Sequence, residues 1–440
     1  MKYFFSMLIG FSLLLLMNKS FAQQVLTVEE AVAAALQNNY DIRLLRNDSS
    51  LFALNNSYAY AGFLPRVNGT VNLVFNNNNT NQKLADGTVR KQGGIKSNNF
   101  SSAVNLNWVV FDGFKMFATR DKFAEFVKLG ELNIKTQLVT SVADIIKTYY
   151  NIVRQKQQLR AIEELMGLNE ERVKQAEKKF SVGLGAKPEL LQSRVDLNAQ
   201  RAARLRQMTL IDQLKEQLNL LTVFAPGTRY EVADSIPINN DLIVTDILNQ
   251  AATNNPALLS AKQNIKIANL SLKERKAERW PTISLNSAYN FSRTENQLVV
   301  NNFTPLFNQN RGFNYGVGAT IPIFNYFNTR RLIQTAELDI SYQQIQYDLQ
   351  KARIDNSISI AYQDYELQKK ALALEEENIV LAKENVYIAS ERFRLGVTSN
   401  MELREAQRSL EDAYNRLIAA RYNTKVAETE LLRLRGDLVR

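Results

Sequence analysis

Two kinds of hydrophobic spacing alternate along the chain, and each kind appears twice. Over Arg66 to Phe75, the apolar Val67, Val71, Leu73 and Phe75 fall on one side and Asn68, Thr70 and Asn72 on the other. Val104, Leu106, Trp108 and Val110 oppose Ala103, Asn105 and Asn107 in the same way. Further on, Ile283, Leu285, Tyr289 and Phe291 alternate with Thr282, Ser284, Asn286 and Asn290, and Phe313 to Ile323 alternates with Asn314, Gly316, Gly318 and Thr320. This period of two predicts four strands of about ten residues, each with one apolar and one polar side. The Asn-rich runs between the paired strands, Asn76–Asn99 and Ser292–Gly312, read as exposed surface loops.

The second spacing steps by four and three. Ala406, Leu410, Ala413, Leu417, Ala420, Thr424, Ala427, Leu431 and Leu434 follow it without a break, as do Ile211, Leu214, Leu218 and Leu221. A heptad seam mixing small and large residues predicts knobs-into-holes helix packing. Ahead of each seam lies a proline-free stretch, Lys115–Phe180 and Asn328–Phe393, weakened only at Gly130 and Gly167. At 1.5 Å per residue such a helix extends on the order of 100 Å, a rod or tunnel wall rather than part of a globule.

The two halves are copies. Leu26–Tyr40 matches Leu242–Pro256, and Pro65 matches Pro281, each 216 residues on. Trp108–Phe114 matches Ile321–Phe327, and Lys179–Gly183 matches Arg392–Gly396, each 213 residues on. The period is too long for a solenoid unit and marks a duplicated fold. The expected division is a first repeat at 23–223, a linker at 224–241 carrying Pro226-Gly227 and Pro237, and a second repeat at 242–440.

The first 22 residues read as a secretory signal: Lys2, the apolar run Tyr3–Met17, and a Ser20-Phe-Ala22 cleavage site. The run falls short of the roughly 20 residues a spanning helix needs. No apolar run of spanning length follows, so a later membrane crossing would have to be a closed β-barrel. Strands with one apolar and one polar face suit such a wall around a wet lumen, though a soluble two-sided sheet shares the pattern. Four strands cannot close, because small membrane barrels need about eight. A ring of two, three or four copies would supply the rest.

Composition narrows the chemistry. The chain has neither cysteine nor histidine, which removes disulfides, thiol nucleophiles, His-based acid–base catalysis and His/Cys zinc sites. No glycine-rich phosphate loop is present. No cofactor, metal or enzymatic activity is expected. The net charge of +10 is scattered among Glu and Asp on helices, so nucleic acid is not an expected partner. Gly183 and Gly396 should close the long helices as left-handed caps, with the returning helices starting at Pro188 and at Ser399 or Asn400.

The order of elements and the paired turns, Phe180-Ser-Val-Gly-Leu-Gly-Ala-Lys-Pro-Glu-Leu190 and Phe393-Arg-Leu-Gly-Val-Thr-Ser-Asn-Met-Glu-Leu403, resemble the TolC family of outer-membrane efflux proteins. The resemblance covers nearly the whole mature length. It implies an α+β fold of long antiparallel coiled-coil helices with four transmembrane strands per chain. Three copies would form a 12-stranded barrel in outer-membrane lipid and an α-helical periplasmic tunnel, with the linker in an equatorial collar. It implies that Val182, Gly183 and Leu184, with Leu395, Gly396 and Val397, dock a periplasmic adaptor, which in turn links to an inner-membrane transporter. Glu402 and Glu405 occupy the positions of acidic rings at the closed entrance, and Glu189 matches another acidic gate position. Such rings attract cations. Phe393 and Thr398 stand where the best-known channel has a tyrosine and an arginine bonded to the position of Glu189, so that lock should differ here. For Glu189 the helix dipole is an equally good explanation.

The function expected is therefore a passive exit duct for a tripartite efflux or type I secretion system. The alternative is a periplasmic coiled-coil adaptor or scaffold, which shares the helical hairpins but not the duplicated strand pairs.

Overall fold

The computed structural model describes residues 25–239, 241–300 and 303–438; the secretory signal expected at the start lies outside them. In order they form β1 (Val25–Leu26), α1 (Val28–Asn38), α2 (Tyr40–Ser57), a 3-10 turn (Ala59–Phe63), β2 (Arg66–Lys83), β3 (Val89–Phe111), α3 (Lys115–Ser181) and α4 (Lys187–Thr222). The second half follows with β4 (Glu231–Val232), α5 (Val244–Asn254), α6 (Pro256–Ala277), β5 (Thr282–Asn296), β6 (Phe307–Thr320), α7 (Asn328–Arg394) and α8 (Asn400–Arg435). The duplication is metrical: α1 and α5 have 11 residues, α3 and α7 have 67, and α4 and α8 have 36. No described helix is long and apolar enough to cross a membrane.

The chain forms two compact units. One holds the residues up to Asn47, Leu132–Leu259 and those from Asp348 on. Its helices pair through the heptad seams. All nine seam residues from Ala406 to Leu434 are buried, and below Leu417 they meet Ile379, Ala382, Val386, Ala389 and Phe393 of α7. Those α7 positions also step by three and four, so the two helices mesh as an antiparallel coiled coil. Between α3 and α4 the exposed rungs Glu177–Arg194, Glu170–Arg201 and Glu163–Arg204 follow the same repeat. Exposed pairs of this kind fix register more than they stabilise.

A second cluster packs Ala31 and Ala35 of α1 and Ile145, Tyr149 and Ile152 of α3 with Leu218 of α4 and Tyr230 and Val232 of the connection. That connection is strapped down rather than loose. β4 pairs in parallel with β1, and the buried Tyr149 hydroxyl donates to Leu26 O while accepting from Ala233 N. Lys156 bonds Glu231 and Asp234 at 3.0 and 2.9 Å.

The duplication extends to single side chains. Asn39 and Asn255 each end a short helix, cap the next through Oδ1, and donate from Nδ2 to the last turn of a long helix, at Leu221 O and Leu434 O respectively. The left-handed residue that closes α4 is Val223, at φ 60°, and its counterpart after α8 is Gly436, at φ 82°. Glycine is required at Gly436, where a Cβ would lie 2.7 Å from Asn254 O.

The other unit, Asp48–Glu131 and Ser260–Tyr347, carries one antiparallel sheet in the order β2-β3-β5-β6. The register sets Val67 against Leu106, Leu73 against Phe100, Leu285 against Val317 and Tyr289 against Phe313. The expected apolar residues therefore share one face, exposed in the single chain at Val71, Phe75, Phe313 and Tyr315. Asn105, Asn107, Asn286 and Asn314 line the opposite, polar face, where Asn107 donates to Asn286 at 2.6 Å. Among the described residues β2 and β6 each keep one unpaired edge.

The hairpins depart from expectation. Asn76–Lys83 and Val89–Asn99 continue the strands instead of looping, leaving a turn at residues 84–88, and the second connection shrinks to residues 297–306. Asparagine has low strand propensity, but an antiparallel ladder propagates through backbone bonds, and a register shift between Asn78 and Thr80 absorbs the glycines at 93 and 94. Both strand-to-helix junctions use two successive left-handed residues, Gly113–Phe114 and Tyr326–Phe327. Around them Phe114, Trp280, Ile323, Phe324 and Tyr326 are exposed, a composition suited to a membrane–water boundary. The helix α3 runs unbroken through Gly130. That glycine lets α2 approach, since a Cβ there would come within 3.0 Å of Phe52 and Ser49.

Candidate functional site at the paired helix tips

The helical hairpins end in matched turns built by backbone sterics. At the first, Gly183 N–H donates to Phe180 O and Leu184 N–H to Lys179 O; at the second, Gly396 N–H donates to Phe393 O and Val397 N–H to Arg392 O. This is the Schellman pattern, with left-handed glycines at φ 77° and 78°. Val182, Leu184, Leu395 and Val397 project into solvent, 62 to 83% exposed. They form two small apolar knobs carried on rigid caps. Gly185 has no such cap role, yet a Cβ there would sit 2.9 Å from Phe180 N. The tight reversal before α4 therefore needs it, and sequence reasoning had not separated it from its neighbours.

The acidic positions have unequal surroundings. Glu189 lies in the first turn of α4, where the N-cap Ala186 offers no side-chain bond, and its carboxylate has no ion-pair partner among the described residues. Glu402 is held three ways: its backbone N–H bonds the N-cap Ser399, Arg392 pairs with it at 3.0 Å, and Thr398 donates to its other oxygen. Thr398 thus engages Glu402 within its own hairpin rather than the position of Glu189. Glu405 has no ion-pair partner among the described residues and lines a cavity of about 520 Å³ between α3, α4 and α8.

Phe393 is 3% exposed and packs on Leu403 and Ala406. Lys179, from the first hairpin, stands 3.9 Å over its ring and donates to its carbonyl at 3.0 Å. The two tips are therefore fastened to each other.

A second fastening was not anticipated. Arg172 of α3, with its side chain 1% exposed, donates to Asp196 of α4 at 2.5 Å and to Gln407 of α8 at 2.9 Å. Asp196 also receives Gln192 at 2.9 Å and Arg404 at 3.3 Å. Burial holds the Arg172 guanidinium below its ordinary pKa, partly offset by Asp196. It nevertheless stays charged, because arginine starts so far above neutrality. One buried cation thus ties both helices of the first hairpin to the returning helix of the second. The signal in the sequence was its heptad spacing: Leu165, Arg172 and Lys179 fall seven apart, so a charge occupies a seam position. Among the described residues no group of three or more acidic residues could hold a metal.

A family model described as "Outer membrane efflux protein" matches residues 31–222 and 247–437, one match per repeat. The outer membrane efflux protein BepC of Brucella suis biovar 1 is 21% identical over 426 residues, covering 94% of this chain and 86% of the relative. The alkaline protease secretion protein AprF of Pseudomonas aeruginosa is 20% identical over 441 residues, covering 98% and 88%. Among solved structures, the CmeC outer membrane channel of Campylobacter jejuni superposes with TM-score 0.75 at 18% identity, over 93% of this chain and 85% of that one. The outer membrane protein VceC of Vibrio cholerae gives TM-score 0.75 at 14% identity, over 93% and 96%.

Proposed function

The chain belongs to the outer membrane efflux protein family, and on that premise we propose that it is the outer-membrane duct of a tripartite efflux or type I secretion assembly. The observation that carries this reading is the four-stranded sheet. Its apolar face is exposed, and among the described residues both of its edges are unpaired. In lipid, each unsatisfied backbone group on such an edge costs several kcal/mol. Three copies joined β6 to β2 remove every edge and give 12 strands, from four per chain, around a lumen lined by the Asn-rich face. The coiled-coil helices continue the duct into the periplasm. In this reading residues 23–223 and 242–440 are the repeated wall, and 224–241 form a collar around it.

The duct is passive: molecules pass and no bond is made or broken. Energy comes from an inner-membrane transporter through a periplasmic adaptor. Val182, Gly183, Leu184, Leu395, Gly396 and Val397 offer that adaptor small apolar knobs without bulk. Glu402 and Glu405 from three copies gather at the entrance and favour cations, with Arg392 moderating the charge of Glu402 and Glu189 at the neighbouring tip. The Arg172–Asp196–Gln407 tie, with Lys179 on Phe393, takes the place of a polar lock at Phe393 and Thr398 and holds the second hairpin closed. The adaptor or scaffold alternative leaves the apolar face of the sheet without a partner. A heat-modifiable trimer extracted from outer membranes by detergent supports the duct, and a water-soluble monomer overturns it.

A further inference from the structure

The extended hairpins place most of their charge on one side of the sheet. In β2 the apolar side continues from Val71, Leu73 and Phe75 through Asn77 and Asn81 to Lys83. The register sets Lys96 against Asn77 and Lys91 against Asn81, so both lysines share that side. Farther across, Arg293 pairs with Phe100, and Arg311 with Phe291, on the same side again. Five exposed cations therefore share the side of the apolar residues, with Glu295 as the one acid among them. Glu295 is taken by Arg293, which leaves Lys83, Lys91, Lys96 and Arg311 without a carboxylate partner among the described residues.

The polar side at the same height holds Asn76, Asn78, Thr80, Gln82 and Asn99, and its one cation, Arg90, donates to Val300 O at 2.8 Å. A charge placed to act on molecules in the lumen would sit on this polar side. The cations lie on the other side, with Arg311 and Arg293 level with Val71 and Leu73, Lys96 just beyond Phe75 and Lys91 and Lys83 farther out along the hairpin, toward the strand ends away from α3 and α7 and so toward the outer leaflet in the orientation proposed above. Among them a groove of about 470 Å³ is lined by Leu73, Phe75, Phe100 and Phe291, with Asn98 and the Arg293–Glu295 pair at its edge. Arg311 lies 5.6 Å over the Phe291 ring and Arg293 5.4 Å over the Phe307 ring. Apolar groove and cationic rim together match an amphiphile with an acyl chain and an anionic head.

We propose that this rim binds anionic lipids of the outer leaflet that carry phosphomonoester groups, with acyl chains in the groove and phosphates on Lys96, Lys91 and Arg311. The proposal rests on the outer-membrane reading. The test is native mass spectrometry of the detergent-extracted trimer with diphosphoryl lipid A or phosphatidylcholine, for the parent, for the triple variant Lys91→Gln, Lys96→Gln, Arg311→Gln, and for Arg90→Gln. The parent and Arg90→Gln should retain anionic diphosphoryl lipid A in preference to zwitterionic phosphatidylcholine. The triple variant should bind it at least about tenfold more weakly, and about 1 M salt should release it from the parent. Equal retention of both lipids by the parent, or loss on Arg90→Gln but not in the triple variant, overturns the proposal. A parent that conducts in phosphatidylcholine bilayers but shows no lipid preference sinks the rim and leaves the duct standing.

Discussion

Replacing Arg172 with methionine tests whether the buried tie holds the two helical hairpins together. The side chain keeps an unbranched apolar stem and loses the guanidinium with its charge. Asp196 is not stranded, because Gln192 and Arg404 still reach it, so the full 3–5 kcal/mol cost of breaking a buried pair does not apply. What disappears is the bond to Gln407 and the short contact to Asp196, against which stands the Arg172 Nε that finds no partner in the folded chain. Two bonds involving a charge, less that unsatisfied donor, leave about 2 kcal/mol of coupling. If the tie is lost on opening, the closed-to-open ratio falls about 30-fold. Open probability of single channels in planar bilayers reads this shift. A double-mutant cycle with Asp196→Asn should return a smaller coupling, since it leaves out the bond to Gln407, while Arg404→Gln, an exposed partner, should cost under about 0.5 kcal/mol. Unchanged open probability in Arg172→Met, or an equal effect from Arg404→Gln, refutes the tie.

Three further outcomes follow from the same geometry. Gly185→Ala should distort the first tip and weaken adaptor binding several-fold in a pull-down while the trimer survives; undiminished binding would remove that tip from the docking surface. Glu402→Ala combined with Glu405→Ala should reduce cation selectivity and divalent block of the pore, and an unchanged reversal potential would remove the acidic entrance. The strap on β4 should loosen in acid. Burial pushes the Glu231 carboxyl up, but Lys156 and Lys215 outweigh it and hold it below 4.5, and Lys156 with Arg160 holds Asp234 below 3.8. Their stabilisation is present above those ordinary values and is lost as pH falls through the lower folded ones. Amide exchange at Val232 should therefore speed up below about pH 4, after correction for intrinsic rates, and a pH-independent rate would contradict the strap.

How far the fold was legible depended on whether one side chain pattern or several partners decided the outcome. The α8 seam could be read directly because each of its residues has a single task, burial, as far as Leu417 against α7, and the period of that task survives in the sequence. The glycine caps were equally plain, since a left-handed turn excludes nearly everything else. The strand ends were not, because Asn76–Lys83 carries neither alternation nor propensity and is held by the backbone of β3. The Arg172 tie joins three helices separated by up to 235 residues, and only its heptad spacing hinted at it. The bond from Thr398 to Glu402, four residues on, was not foreseen, because it depends on how the turn folds back. The cationic side of the hairpins depended on register, which a shift at Asn78 alters and no local pattern announces.

Single-channel recording of the purified trimer in a planar bilayer tests the central claim most directly. The account predicts discrete, cation-selective conductance steps that require the trimer and disappear when heating dissociates it. A trimer that inserts into the bilayer yet passes no ions, even with the Arg172 tie removed, would contradict it.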